Sequence, residues 1–500
     1  MHSSKKYAFL YTLFPFVALM IYFVLSYYNW IYSDSASNMV LARKMYADHR
    51  LLLPDWFYST ELPLFCPIQL FAFSFLFTDS WLFARWIAVF LICCLCAGSC
   101  IYYCSQVPGL KKSIWLAAGL LFIPYSSTYM DTMFLSAYYP INVAVMFFSV
   151  GAMLHYQTIR SRRGRFLLLT ILFLLSLIVS AQSIRMLAIL YLPLLLTYVV
   201  LRLRNKDLRF APAAVSFTAS LAGLLANRLL LQSGNYTLAF SSEELHFRFP
   251  SGIPFYIFRS FAELLGFQTF QDNPFYGIVC CILALLLLIA VIIGSMNALR
   301  SNTPAEQFTF LFPASIIIGY LALYLFTDMY FVPRYDVPIL AFFFPLMLSS
   351  PAKTEGFLRH DHLKIILIVI AVLRSVLYYS NPQELYAGID NAARNRELLS
   401  IVPLLDNEHI TKGYAGFEQS NILTELSDGR IEMWTLYFED GAPQIYPCLQ
   451  DTAHLYDPLP QDNCFFLYTK TEYTQYLSQM PLAANMQALE TEHFYIFIVH

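Results

Sequence analysis

The sequence predicts a polytopic α-helical membrane protein of about eleven transmembrane helices, followed by a small C-terminal α/β or α+β domain. Three observations lead there. Apolar residues make up 58% of the 500-residue chain and charged residues only 13%, about half the charged share of a soluble domain. The apolar residues gather in long runs, the signature of helices that cross a bilayer. The connections between runs are rich in Lys and Arg at alternate turns and poor at the others, the positive-inside bias.

Lys5 and Lys6 precede the first run, Ala8 to about Trp30. It is too long for a signal-peptide core and has no clear cleavage site, so it reads as an uncleaved first span. The spans fall at about 8–31, 82–104, 114–134, 138–156, 166–181, 186–201, 210–231, 275–297, 308–327, 335–350 and 363–380. With the N-terminus inside, the inner turns carry Lys111 and Lys112, then Arg160, Arg162, Arg163 and Arg165. They continue with Arg202, Arg204, Lys206 and Arg209, then Arg300, then Lys353, Arg359 and Lys364. Fusing the short fifth and sixth spans would put Arg300 and Lys353 outside, so the charges favour eleven. An odd count leaves the C-terminal domain outside. The expected protein is therefore a multi-pass cell-membrane protein with a cytoplasmic N-terminus and an extracytoplasmic domain.

The membrane domain covers 1–380, with long outer loops at 32–81 and 232–274. The first loop holds an aromatic-rich apolar piece, Leu64–Phe77, too short to span and suited to the interface. Tyr and Phe are abundant throughout, 35 and 44 residues, as suits span ends. From Asn381 the composition changes and 381–500 reads as a separate soluble domain. Helices are expected at 389–405, 419–426 and 471–479. Strands are expected at 412–417, 430–438, 464–469 and 494–499, with a turn at Ser427-Asp428-Gly429. Cys93, Cys94, Cys96, Cys100 and Cys104 sit in or beside one apolar run and read as small fillers. Cys448 and Cys464 lie in the soluble domain, where an oxidising compartment would permit a bond. A net charge of −2 offers no basic surface for nucleic acid.

Polar residues then single out the outer face. Asp34 follows the first span, where it either caps the next helix or meets a substrate at headgroup level. The stretch Leu53 to Leu64 places Asp55, Tyr58 and Glu61 among aromatics and prolines. Arg85 stands at the head of the second span, as a snorkelling residue or a phosphate ligand. Arg185 lies between spans five and six, and Arg334 and Tyr335 lie in Val332-Pro333-Arg334-Tyr335-Asp336-Val337-Pro338. Arg185 and Arg334 defy the charge bias, and cations so placed usually face protein or a cavity.

This layout resembles the GT-C class of polyprenyl-phosphate-sugar-dependent glycosyltransferases, such as the protein O-mannosyltransferases and lipid A aminoarabinose transferases. The resemblance rests on Asp34 after span one, on the loop through Pro63-Leu64 to Arg85, and on Pro333-Arg334-Tyr335 ahead of Pro338. Two departures stand out. Asp34 is flanked by Ser33 and Ser35 where many members pair two acids, and Thr60-Glu61-Leu62-Pro63 replaces a lysine-proline-proline motif. The resemblance implies transfer of a sugar from a polyprenyl-phosphate donor to a glycan, lipid or protein acceptor of the cell envelope. Asp34, with Glu61 as a second acid, would be catalytic. Arg334, Arg185 and Arg85 would hold the donor phosphate, and Tyr58, Tyr335 and Asp55 would position substrate. No metal ligand set is visible. A divalent metal as cofactor stays open, unsupported by a paired-acid motif. A lipid-linked glycan flippase or an envelope-binding scaffold are the alternative functions. A flippase would be expected to show internal repeats or paired broken helices.

Overall fold

The structure, a computed structural model, describes residues 7–137, 139–239, 253–267, 274–327, 332–349, 360–380, 389–439, 442–456, 463–477 and 486–500. Lys5, Lys6, Lys353, Arg359, Asn381 and the middle of the 232–274 loop lie outside them. Among the described residues, eight helices are long and apolar enough to cross a membrane, or nine if a bent pair, Ser127–Leu135 with Pro140–Thr158, counts as one span. The first crossing helices are α1 (Leu10–Trp30) and, beyond the short helices α2 (Ser33–Ala47) and α3 (Pro67–Ser74), α4 (Trp81–Gln106). Spans five and six are separate, as Arg162–Gln182 and Leu187–Arg204.

Two of the expected spans are not single long helices. The run 114–134 breaks into α5 (Ile114–Leu120), α6 (Ser127–Met130) and a π-helical turn, Asp131–Leu135. Pro124 lacks an N–H and biases Ile123 away from helix. The Ser126 hydroxyl then accepts from the Tyr129 N–H at 3.1 Å and starts the chain again. The run 335–350 gives only an eleven-residue helix, Val337–Met347, with every residue buried. Its apolar character serves a protein core and not a lipid-facing surface.

Helix packing in the membrane part relies on small residues where backbones approach closely. Between Arg162–Gln182 and Ala211–Gln232, the Ser180 and Ser220 hydroxyls meet at 2.8 Å. A Cβ added to Gly223 would stand 2.3 Å from the Leu177 carbonyl oxygen. Asn227 donates to the Ala181 carbonyl at 2.7 Å and closes the end of the pair.

The C-terminal part is a mixed six-stranded sheet, in the spatial order 442–445, 432–439, 412–416, 464–469, 494–499, 486–490. The strand Lys412–Gly416 is parallel to both neighbours, and the outer pairings are antiparallel. The helices Ile389–Asn407 and Ser420–Leu426 join this sheet to the membrane helices. The turn 427–429 closes as expected, with Gly429 at φ +75°. Cys448 and Cys464 are both buried and form no disulfide with each other. The loop after α2 joins the remaining parts. Phe57–Tyr58 pairs in parallel with Thr237–Leu238, so the two long loops meet. Phe57 N–H donates to the Gln450 carbonyl at 2.9 Å and Leu449 N–H to the Phe57 carbonyl at 2.8 Å.

The close approach at Gly223 makes a direct test. Gly223→Ala should lower the melting temperature in detergent, with an overpacking cost of about 1–3 kcal/mol. Gly98→Ala, where an added Cβ meets nothing within 4 Å, should leave melting unchanged, and thermal melts of both variants check the contrast.

Candidate active site at the junction of the helices and the sheet domain

The site is built around the break between α1 and α2. Ile31 is extended at ψ 127°, and the chain re-enters helix at Ser33 with Tyr32 as the N-cap residue. The Tyr32 N–H donates to the Ser35 hydroxyl at 3.2 Å, which in turn donates to the Tyr32 carbonyl at 3.0 Å. Ser35 thus serves the helix start. Asp34 is not the N-cap residue; it lies in the first turn, half-buried. A carboxylate there is favoured by the positive end of the helix dipole.

A second acid, Asp131, meets this junction from the π-helical turn. It accepts from the Tyr32 hydroxyl at 3.5 Å and from the Ser136 hydroxyl, and those two hydroxyls lie 2.5 Å apart. The charges that act on Asp131 include Arg334 and Asp34. Asp131 was missed in the sequence because it fell within an apparent span, 114–134. The available signal was an acid in an apolar run, which by default marks function.

Arg334 is brought to the same place by a 3₁₀ turn, Pro333–Asp336. The Tyr320 hydroxyl donates to the Tyr335 carbonyl at 2.9 Å and fixes that turn. Arg334 is exposed, Tyr335 half-buried and Asp336 buried. Arg185 and Glu61 complete one side. Arg185 Nη2 is 2.5 Å from Glu61 Oε1, and Gln182 Nε2 donates to Glu61 Oε2 at 3.1 Å. The Arg185 guanidinium lies 5.4 Å from the Tyr139 ring centre. Burial opposes the Arg185 charge, and the Glu61 carboxylate together with the nearby Tyr139, Tyr335 and Tyr320 outweighs it, so its pKa is raised. Tyr139 feels Arg185, Tyr335, Arg334 and Glu61 together. Asp34, Asp131, Arg334, Tyr335, Arg185 and Glu61 are therefore linked through shared neighbours.

Three residues singled out in the sequence are engaged elsewhere. Arg85 forms a two-pronged, fully buried ion pair with Glu425 of the sheet domain: Nε to Oε1 at 2.8 Å and Nη2 to Oε2 at 2.7 Å. Asp55 lies 3.3 Å from Lys44 Nζ, which also pairs with Asp451. Burial opposes the Lys44 charge, and the bond to Asp451 with the nearby carboxylates outweighs it, so its pKa is raised. The Tyr58 hydroxyl both donates to the Leu53 carbonyl and accepts from the Leu53 N–H, each at 2.8 Å. Tyr58 and Asp55 thus anchor their own loop. Among the described residues no group of three His, Cys, Asp or Glu side chains is placed to hold a metal ion.

Known proteins share this architecture. ArnT from Cupriavidus metallidurans, in a crystal structure bound to undecaprenyl phosphate, aligns with a TM-score of 0.59 and 12% sequence identity over 99% of this chain and 98% of its own. The apo form of ArnT gives a TM-score of 0.57 with the same identity and coverage. An oligosaccharyltransferase from Archaeoglobus fulgidus, tethered to an acceptor peptide, gives 0.45 at 9% identity, over 91% of this chain and 65% of its own. No protein-family model matches the chain, and no curated protein does. The fold is of GT-C type, as the sequence resemblance implied.

Proposed function

We propose that this chain is a membrane glycosyltransferase that moves a hexosyl or pentosyl group from a polyprenyl-phosphate donor to an acceptor at the outer membrane face. The observation that carries this reading is that Asp34 and Arg334, from segments distant in sequence, both act electrostatically on Asp131. Acids within reach of an exposed arginine suit a displacement in which a proton is removed at one end and phosphate charge develops at the other. The undecaprenyl phosphate bound by the ArnT structure supports a lipid-linked donor.

The reaction is a direct displacement. Asp34 takes the proton of the acceptor hydroxyl as general base. The acceptor oxygen bonds to the anomeric carbon while the bond from that carbon to the phosphate oxygen breaks. The polyprenyl phosphate leaves with the electron pair. Arg334 stabilises the departing phosphate through charge-assisted bonds, and Arg185, held by Glu61, adds positive potential behind it. Asp131 keeps the Tyr32 hydroxyl, and with it the start of α2, in place. Tyr335 lines the approach. Arg85 takes no part in phosphate binding, because Glu425 occupies its fork.

The orientation follows the inner Lys and Arg clusters: cytoplasmic N-terminus, extracytoplasmic domain at 381–500. A cysteine placed at exposed Asn302 should react with an impermeant maleimide only from the cytoplasmic side, and one at exposed Glu408 only from the other. Labelling of intact cells against inverted vesicles measures this, and reaction at 302 in intact cells would reverse the orientation.

The chemistry is tested with sugar transfer from a synthetic polyprenyl-phosphate sugar. Asn has nearly the shape of Asp but accepts no proton at neutral pH. Asp34→Asn should therefore keep its melting temperature and lose about 10²–10⁴-fold in rate. Undiminished transfer would move the base to Asp131 or Glu61.

Arg334→Gln should raise the donor KM several-fold with the fold intact. Arg334→Lys should recover only part, because an ammonium lacks the planar fork. Donor titrations of both variants read this out, and wild-type KM in both would remove Arg334 from the donor site.

A further inference from the structure

The segment that carries Asp34 is held by Arg85 of α4 and by side chains of the C-terminal domain that meet it there. The Arg85 Nη2 that pairs with Glu425 also donates to the Ser35 carbonyl at 2.8 Å. Ser35 is the residue after Asp34. Glu425 is fixed from a third side by the Tyr27 hydroxyl, which donates to Oε1 at 2.6 Å. Arg85 and Glu425 have side chains only 3% and 0% exposed, so water does not compete for these bonds.

A second grip acts on the other side of Asp34. Asn395, fully buried on the helix Ile389–Asn407, donates to the Tyr28 and Ile31 carbonyls, each at 2.8 Å. Those are the carbonyls α1 leaves open where it ends, and without a donor each would be an unmet buried acceptor. The Ser33 hydroxyl also reaches Glu418 at 3.4 Å. A cavity of only about 10 Å³ lies against the same groups, lined by Phe23, Tyr27, Trp30, Ser35, Arg85 and Leu135. The start of α2 is therefore held by directional bonds as well as by packing.

We propose that Glu425, acting through Arg85 on the Ser35 carbonyl, and Asn395, acting on the Tyr28 and Ile31 carbonyls, are positioning residues for Asp34. The C-terminal domain is then part of the catalytic apparatus and not a separate binding module. This rests on Asp34 being the base. A guanidinium held by two carboxylate oxygens has little freedom to turn, so its remaining N–H fixes the Ser35 carbonyl in direction as well as distance. Loss of that constraint misplaces the carboxylate, and a displacement of about 1 Å costs on the order of 10²-fold in rate.

The test separates positioning from stability. A buried ion pair replaced by apolar residues of similar volume often keeps or gains stability, whereas removal of one partner does not. The triple variant Tyr27→Phe, Arg85→Met, Glu425→Leu removes every polar member of the network except the Ser35 carbonyl. It should melt within a few degrees of wild type, keep its donor KM, and lose about 10²-fold in kcat. Amide exchange at residues 32–38 should quicken at least tenfold while exchange in Pro304–Phe326 stays unchanged. A stable triple variant with wild-type kcat and wild-type exchange overturns the proposal. If the triple variant does not fold, Arg85→Lys decides: it keeps charge opposite Glu425, loses the fork and should show the same kcat loss at unchanged KM. Wild-type kcat in Arg85→Lys overturns the proposal. If the wild-type protein transfers no sugar, the function proposed for Asp34 fails, and the exchange measurement still judges the positioning alone.

Discussion

A carboxylate and a guanidinium shut away from water at the join between membrane helices and a soluble sheet constrain everything around them. Arg85 and Glu425 are 340 residues apart in sequence. Neither tolerates burial without the other, and breaking such a pair costs about 3–5 kcal/mol. The pair therefore fixes the helix Ser420–Leu426 against α4. The turn that follows is seated by Asp428, which accepts from the Trp81 N–H at 2.7 Å. The same contact sets where α2 begins, and the candidate site is arranged around that point.

The remaining charges of the junction follow the same physical rule at lower stringency. Lys44 gathers Asp48, Asp55 and Asp451 at partly exposed positions, where ion pairs contribute little each and salt screens them. Glu61 and Arg185 are likewise partly exposed, so of these pairs only Arg85–Glu425 is closed off from water.

Much of the architecture was legible because it is written in local pattern. Runs of apolar residues mark crossing helices wherever they are long. The strands at 432–439, 464–469 and 494–499 stand out by their β-branched and aromatic content. Asp34 and Arg334 were visible because each is a charge at a position that composition disfavours. What was hidden depends on partners far away in sequence. Nothing local distinguishes the buried helix Val337–Met347 from a lipid-facing one, since both are uniformly apolar. The strands 442–445 and 486–490 are short, at sheet edges and partly polar. Asp131 was concealed by its apolar surroundings. Arg85 looked like a phosphate ligand because its carboxylate partner is encoded in another domain.

The grip of Asn395 and Glu425 on the residues around Asp34 also imposes an order on biogenesis. The ribosome delivers Asp34 into the membrane early. The side chains that hold its neighbours, Ile31 and Arg85, emerge 364 and 340 residues after those neighbours. Contacts of such separation form late, after slower searches. On the positioning reading, a partly made chain would display its acid at the membrane surface without the geometry to use it. Reactivity would be withheld until the last domain has docked, so the fold itself would keep unfinished copies silent.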